Sequence, residues 1–329
     1  MTEGPMLEVR GLTKHFFGQS GLFGRETETV RAVDGVSFEI GGRETLALVG
    51  ESGCGKTTTG RSVLRLSEPT AGEVWYRPAD GRNPVDLCSL KPREMRAYRR
   101  ELQIVFQDPL ASLNPRLTTG AVLREVFEVH GVRNRGEQSD RVAELLVQVG
   151  LDPDLDGRFP YELSGGQRQR LGIARALAVE PRLIVCDEPV SALDVSVQAQ
   201  ILNLLADLQD ELELSYLFIS HDLSVVSHLA HRVAVMYLGR IVEIGPVNEV
   251  FENPRHPYTQ ALFSAIPTVD PSRPAEPVLL GGEVPSPRQP PGGCHFHPRC
   301  PIAEQACRSI DPDLIERGAG HSVACHLAP

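Results

Sequence analysis

The chain has 329 residues, 41% hydrophobic and 23% charged, the profile of a soluble globular protein with one large domain plus an appendage or two modest domains. Its formal charge of -10 excludes a general nucleic-acid binder, which needs a basic surface to neutralise phosphates. No apolar run approaches the roughly 18 residues that cross a bilayer, and Met1-Thr2-Glu3-Gly4-Pro5 lacks the basic start and apolar core of a secretory signal, so a cytosolic chain is expected.

Short strands and turns are expected over residues 6–50. Leu7-Glu8-Val9-Arg10 and Val36-Ser37-Phe38-Glu39-Ile40 alternate with period two, and Thr45-Leu46-Ala47-Leu48-Val49 reads as a buried strand entering a glycine-rich turn. A helix follows from Lys56 through Leu66. The basic run Lys91, Arg93, Arg96, Arg99 and Arg100 reads as a solvated helix face. An amphipathic helix is expected from about Asp140 to Val149, with Val142, Leu145, Leu146 and Val149 on one face and Ser139 as its N-cap.

Beyond Tyr161 strands and helices alternate, which indicates a mainly parallel α/β sheet. Helices are expected over 168–179, 198–212 and 223–231, and strands at Leu183–Asp187 and Tyr216–Ser220. Val233–Tyr237 and Ile241–Ile244 read as a hairpin. Fourteen of the 26 prolines lie in residues 254–329, so a boundary is placed after Asn253 and the tail is not expected to continue the sheet.

Gly50-Glu51-Ser52-Gly53-Cys54-Gly55-Lys56-Thr57 matches the phosphate-loop pattern G-x-x-x-x-G-K-[ST] between a strand and a helix. Glycines allow positive φ and close backbone approach, so successive N–H groups can face phosphate oxygens at a helix N-terminus. Lys56 would reach the terminal phosphates, with Gly50, Ser52, Gly53, Gly55 and Thr58 around them, and the Thr57 hydroxyl would ligate Mg²⁺. About 130 residues on, the apolar strand Leu183-Ile184-Val185-Cys186 ends in Asp187-Glu188. Asp187 suits a Mg²⁺ ligand and Glu188 the base that activates water.

Leu163-Ser164-Gly165-Gly166-Gln167 is the residue run that narrows the class. It offers a hydroxyl and N–H groups at a second helix N-terminus, a second anion site that one bound triphosphate cannot share within a single subunit. The run resembles the LSGGQ signature of ATP-binding cassette (ABC) ATPases. That resemblance implies a phosphate-loop NTPase core with a mixed, mainly parallel sheet, an antiparallel β subdomain and a helical subdomain at about 108–165. It also implies head-to-tail pairing, each ATP lying between one subunit's phosphate loop and the other's signature. By the same resemblance Gln107 senses Mg²⁺ and the γ-phosphate and contacts a membrane subunit. Asp194, in Ser191-Ala192-Leu193-Asp194, crosses the dimer interface, His221 contacts the γ-phosphate and Phe16 stacks on adenine.

His256-Pro257-Tyr258-Thr259-Gln260-Ala261-Leu262, then Ile266-Pro267 and a proline-rich linker, resembles the irregular C-terminal extension of dipeptide, oligopeptide and nickel importer ATPases. Four of the seven cysteines follow, as Cys294-x5-Cys300-x6-Cys307-x17-Cys325. In a reducing compartment such clustering favours a metal centre, and the resemblance implies a [4Fe-4S] cluster; zinc, with His295, His297 and His326 nearby, and plain free thiols are the rivals.

The sequence is thus expected to encode an ATPase: an ABC domain over residues 6–253 and an extension over 254–329, peripheral on the cytoplasmic face of a membrane. The expected partners are a second, homologous ABC ATPase subunit and two transmembrane permeases, with an extracytoplasmic solute-binding protein acting indirectly. Peptides are the expected solute, with nickel or another small solute as the alternative. An exporter ATPase and a soluble ABC protein are the remaining readings. The former lacks such a tail, and the latter usually carries two cassettes or long coiled-coil insertions.

Overall fold

The computed structural model of the chain describes residues 4–18, 29–131, 134–265 and 280–328. Ile266-Pro267 and most of the proline-rich linker lie outside the described residues. In chain order, β1 (Leu7–Phe17), β2 (Thr29–Ile40) and β3 (Thr45–Val49) lead into α1 (Lys56–Val63), β4 (Ala71–Tyr76) and β5 (Val85–Asp86). Then come α2 (Pro92–Met95), β6 (Leu102–Val105), α3 (Pro109–Ser112), α4 (Thr119–Val129), α5 (Arg135–Gln148) and α6 (Gly165–Leu177). β7 (Leu183–Asp187), α7 (Val195–Leu212), β8 (Ser215–Ile219) and α8 (Leu223–Leu229) continue the alternation. The chain ends with β9 (Arg232–Tyr237), β10 (Arg240–Pro246), α9 (Val247–Glu252), α10 (Pro257–Ser264), β11 (Ile315–Glu316) and β12 (Ser322–Val323).

Two compact units result: residues 1–41, 45–90 and 220–329 form one, and 42–44 with 91–219 the other. The compositional boundary after Asn253 therefore does not divide compact units; the tail belongs with the phosphate loop.

In the first unit, β2, β1, β4 and β5 form an antiparallel sheet, with Leu7 opposite both Ile40 and Tyr76. Leu7, Val9 and Leu12 are all buried. β1 and β2 run well past the short period-two segments, continuing over 11–17 and 29–35. A second set of strands joins β3 parallel to β9, and β9 antiparallel to β10. All five residues of β3 are buried, as a strand covered on both faces requires. The tail adds to this sheet, contrary to expectation: β12 pairs with β10, Glu243 opposite Val323, and β11 pairs with β12. The physical reason is local, because no proline occurs from Ile315 to Val323, so the ladder's N–H donors are intact.

In the second unit β6, β7 and β8 are parallel neighbours, and every residue of β7 and β8 is buried. Helix α7 turns Ile201, Leu202, Leu205 and Leu208 inward, at the spacing of one helix face. Helix α5 buries Val142, Leu145 and Leu146 as expected, but it begins a turn before Ser139. Asn134 is its N-cap, the side chain accepting from the Gly136 N–H at 3.0 Å, so the cap lies upstream of the apolar stripe. Helix α6 likewise begins at Gly165 rather than Arg168, because Ser164 caps it.

Candidate nucleotide-binding site

The phosphate loop connects β3 to α1 through a backbone that only glycine tolerates. Gly50, Gly53 and Gly55 have φ of 149°, 79° and 111°. A Cβ at Gly50 would lie 2.1 Å from the Met236 carbonyl oxygen, and one at Gly55 2.1 Å from that of Ala32, so the loop is seated against fixed backbone. Ser52 and Gly53 are exposed and Thr57 and Thr58 half-buried. Lys56 is 4% exposed, and its Nζ donates to the carbonyls of Gly50 at 2.8 Å and Glu51 at 3.0 Å. The loop therefore carries an ammonium folded back upon itself at the start of a helix, where N–H groups lack intrahelical partners.

His221 enters the same unit beside β3. The preceding Ser220 N–H donates to the Leu48 carbonyl at 3.2 Å, and Asp222 caps α8 by accepting from Ser224 N–H at 2.9 Å. His221 itself is exposed. Phe16 stands near the end of β1, 46% exposed, with Lys14 Nζ 4.8 Å from its ring centroid. Phe17 is more exposed still.

In the second unit β7 ends on Asp187, 1% exposed, and the next residue, Glu188, has φ of 49°. A left-handed conformation at a non-glycine residue is strained and is held here by its surroundings. The Glu188 N–H donates to the Ile219 carbonyl at 3.0 Å, and Gln107 Nε2 donates to Glu188 Oε2 at 2.8 Å. The structure thus joins two residues that stand 81 positions apart. Ser164 caps α6 with a reciprocal box: its Oγ accepts from Gln167 N–H at 3.2 Å, and Gln167 Oε1 accepts from Ser164 N–H at 2.9 Å. A Cβ at Gly166 would meet Val197 Cγ1 at 2.7 Å, and Gly165 lies exposed at the helix start. Asp194 occupies the N-cap position of α7 without a side-chain cap bond, next to Val195, which is 82% exposed. A groove of about 190 Å³ runs between Gln107, Leu110, Gly165, Arg168 and Leu193.

The tail reaches the phosphate loop at a point that sequence spacing did not indicate. Glu51 N–H donates to the Tyr258 hydroxyl at 2.9 Å, and Arg299 grips the Glu51 carboxylate with both terminal nitrogens, at 2.9 and 3.2 Å. Glu51 and Arg299 are 248 positions apart, and neither belongs to a motif position of fixed identity, so no local signal marks the pair. Behind them Tyr237 packs on Tyr258 at 4.7 Å between ring centroids and edge-on to Phe296 at 5.3 Å. Deeper still, Glu243 is fully buried and accepts from the N–H groups of Arg255 and His256 and from His321 Nε2. His256 in turn caps α10.

The expected iron–sulfur ligands lie near enough for their charges to act on one another, but no metal site is found there. Among the described residues no group of three or more His, Cys, Asp or Glu side chains is disposed to hold a metal ion, and Cys294, Cys300, Cys307 and Cys325 are free thiols. Burial pushes the Cys294 thiol up to about 11, the fields of the other three thiols adding to it, and burial raises Cys300 as well. His295, His297 and His326 each engage one of their two ring nitrogens with a backbone carbonyl.

A phosphate loop after a buried strand, an acidic end to a parallel strand and a serine-capped signature helix define an ABC ATPase. Residues 33–191 match the family model described as ABC transporter, and residues 242–307 that of the oligopeptide/dipeptide transporter C-terminal region. The chain is 53% identical to the Probable peptide ABC transporter ATP-binding protein y4tS of Sinorhizobium fredii, over 98% of this chain and 90% of that one. It is 50% identical to the oligopeptide transport ATP-binding protein AppF of Bacillus subtilis, over 98% and 97%. Among solved structures it resembles the ATP-binding cassette MJ0796, dimeric and bound to ADP and phosphate, with a TM-score of 0.63 and 29% identity over 74% of this chain and 99% of that one. The chain belongs to the ATP-binding subunit family of peptide and oligopeptide ABC transporters.

Proposed function

We propose that this chain binds and hydrolyses ATP to power the import of peptides across a cytoplasmic membrane, on whose inner face it docks. The observation that carries this reading is one chain holding an intact phosphate loop, an intact serine-capped signature and a tail matching the oligopeptide/dipeptide transporter region. Peptide is favoured over nickel by the names of the relatives at 50% identity and above. The ATPase domain is taken as residues 6–253 and the extension as 254–329. No helix among the described residues is long and apolar enough to cross a membrane; in this reading two permease subunits supply the path. A second, homologous cassette completes the site, and a solute-binding protein delivers cargo on the far side.

In this reading Lys56, the amides of Gly50, Ser52, Gly53 and Gly55, and Thr58 bind phosphates, and Phe16 stacks on the base. Thr57, Asp187 and Gln107 would hold Mg²⁺, which neutralises phosphate charge when bound. Glu188 takes the proton of the attacking water, and its hydrogen bond from Gln107 orients the carboxylate. His221 contacts the γ-phosphate. Ser164, Gly165, Gly166 and Gln167 present a helix N-terminus to the nucleotide of the facing subunit, across an interface to which Asp194 belongs. No step of this scheme runs through the four thiols, where no metal-holding group is found among the described residues.

The test is Glu188→Gln in the full chain with its transporter partners. Mg·ATP binding should persist while hydrolysis slows by about hundredfold or more. Turnover within a fewfold of the unaltered protein would remove Glu188 from the role of base.

A further inference from the structure

A carboxylate in the second position of a phosphate loop is an electrostatic liability. Glu51 lies beside Gly50, whose carbonyl Lys56 binds, on the loop that must accept a highly anionic triphosphate. Like charges at such range repel, and the repulsion grows as water is excluded by the bound nucleotide. Glu51 does not face that role alone. The Arg299 guanidinium meets it fork to fork, with its own side chain only 8% exposed against 30% for Glu51. Pairs of this geometry are stronger and better oriented than ordinary surface ion pairs, and the ordering cost is reduced because the guanidinium is already packed. It lies 5.9 Å from the Tyr237 ring centroid, and its short turn, His297–Arg299, begins just after Phe296, buried among Tyr237 and Tyr258. Tyr258 independently holds the Glu51 N–H. Both side chain and backbone of one loop residue are thus fixed by residues of the extension.

We propose that Arg299 is a positioning residue for ATP binding: the C-terminal extension neutralises and orients Glu51 so that the phosphate loop accepts the nucleotide. The inference rests on the phosphate-loop reading of residues 50–57. Because the effect is on binding, it falls on nucleotide affinity and not on the hydrolytic step. The rival is a purely mechanical clasp that holds the extension in place and leaves affinity untouched.

Calorimetric titration of the full-length chain with Mg·ATP, together with steady-state hydrolysis, separates the two. Arg299→Ala should weaken binding and raise KM about tenfold, with kcat within about twofold. Arg299→Lys, which keeps the charge but loses the fork, should fall between. Adding Glu51→Gln to Arg299→Ala should restore most of the lost affinity, since the uncompensated charge is gone. Unchanged affinity in Arg299→Ala overturns the proposal, as does a double variant no better than the single one. Should Arg299→Ala fail to fold, Glu51→Gln alone decides: affinity equal to or tighter than that of the unaltered chain supports neutralisation, and weaker affinity overturns it. Failure of the unaltered chain to bind Mg·ATP would instead sink the phosphate-loop reading, and this inference with it.

Discussion

The signature helix and the C-terminal extension make opposite use of their residues. At the start of α6 the functional groups are neighbours in sequence: Ser164 caps, Gln167 answers, and Gly165 and Gly166 leave the helix end bare within four positions. In the extension the groups that matter are gathered from far apart, with Arg299 on Glu51, Tyr258 on the same residue, and His321 on Glu243. The first region presents exposed residues at a helix start. The second works by burial, holding a phosphate loop that it does not form. The contiguous residues of α6 belong to one compact unit and the packed residues of the extension to the other.

The sharpest way to break that contrast is to remove charge from the loop without touching the packing. Lys56→Ala should abolish Mg·ATP binding, lowering affinity by at least about hundredfold, while thermal unfolding shifts little, because the lost bonds are to loop carbonyls. A large loss of stability would show that the ammonium is structural. The converse change is Glu243→Ala. It strands the N–H groups of Arg255 and His256 and the buried His321, and should destabilise the protein by about 3 kcal/mol in urea unfolding. Its remaining folded fraction should still bind nucleotide; loss of binding at full stability would contradict the division of labour.

The smallest effect concerns pH. Burial depresses His256 to about 3 from an ordinary value near 6.5, so the folded chain holds it neutral. Unfolding lets it take up a proton below that ordinary value, so its contribution is intact above it and declines as pH falls towards the folded value. Between about pH 6 and pH 4 the unfolding free energy should drop by up to about 1.4 kcal/mol per unit from this residue. His256→Asn, which keeps an N-cap at α10, should flatten the slope by that one proton. An unchanged slope would mean that His256 is already charged when folded.

The parts of the fold legible in sequence are those where the governing interaction is local. β3 and β7 have the bounds their apolar runs suggest, and α7 buries the four residues its spacing predicts. The motif residues stand out in the sequence for the same reason, since phosphate chemistry demands particular groups at fixed short spacing. What escaped was non-local. Asn134 starts α5 from outside the apolar stripe, β12 finds its partner 80 positions upstream at the Glu243–Val323 pair, and the Arg299–Glu51 fork closes across most of the chain. The four thiols are brought near enough for their charges to act on one another, yet among the described residues no group of three or more His, Cys, Asp or Glu is found that could hold a metal ion.

The pairing of β12 with β10 has a consequence for anyone who would trim the protein. Those two residues, with β11 beyond them, cap the open side of β10. A chain stopped at residue 253 would leave that row of amides and carbonyls bare, a template to which a neighbouring polypeptide could add by strand pairing. A shortened cassette would need some other cover over the same backbone to stay dispersed.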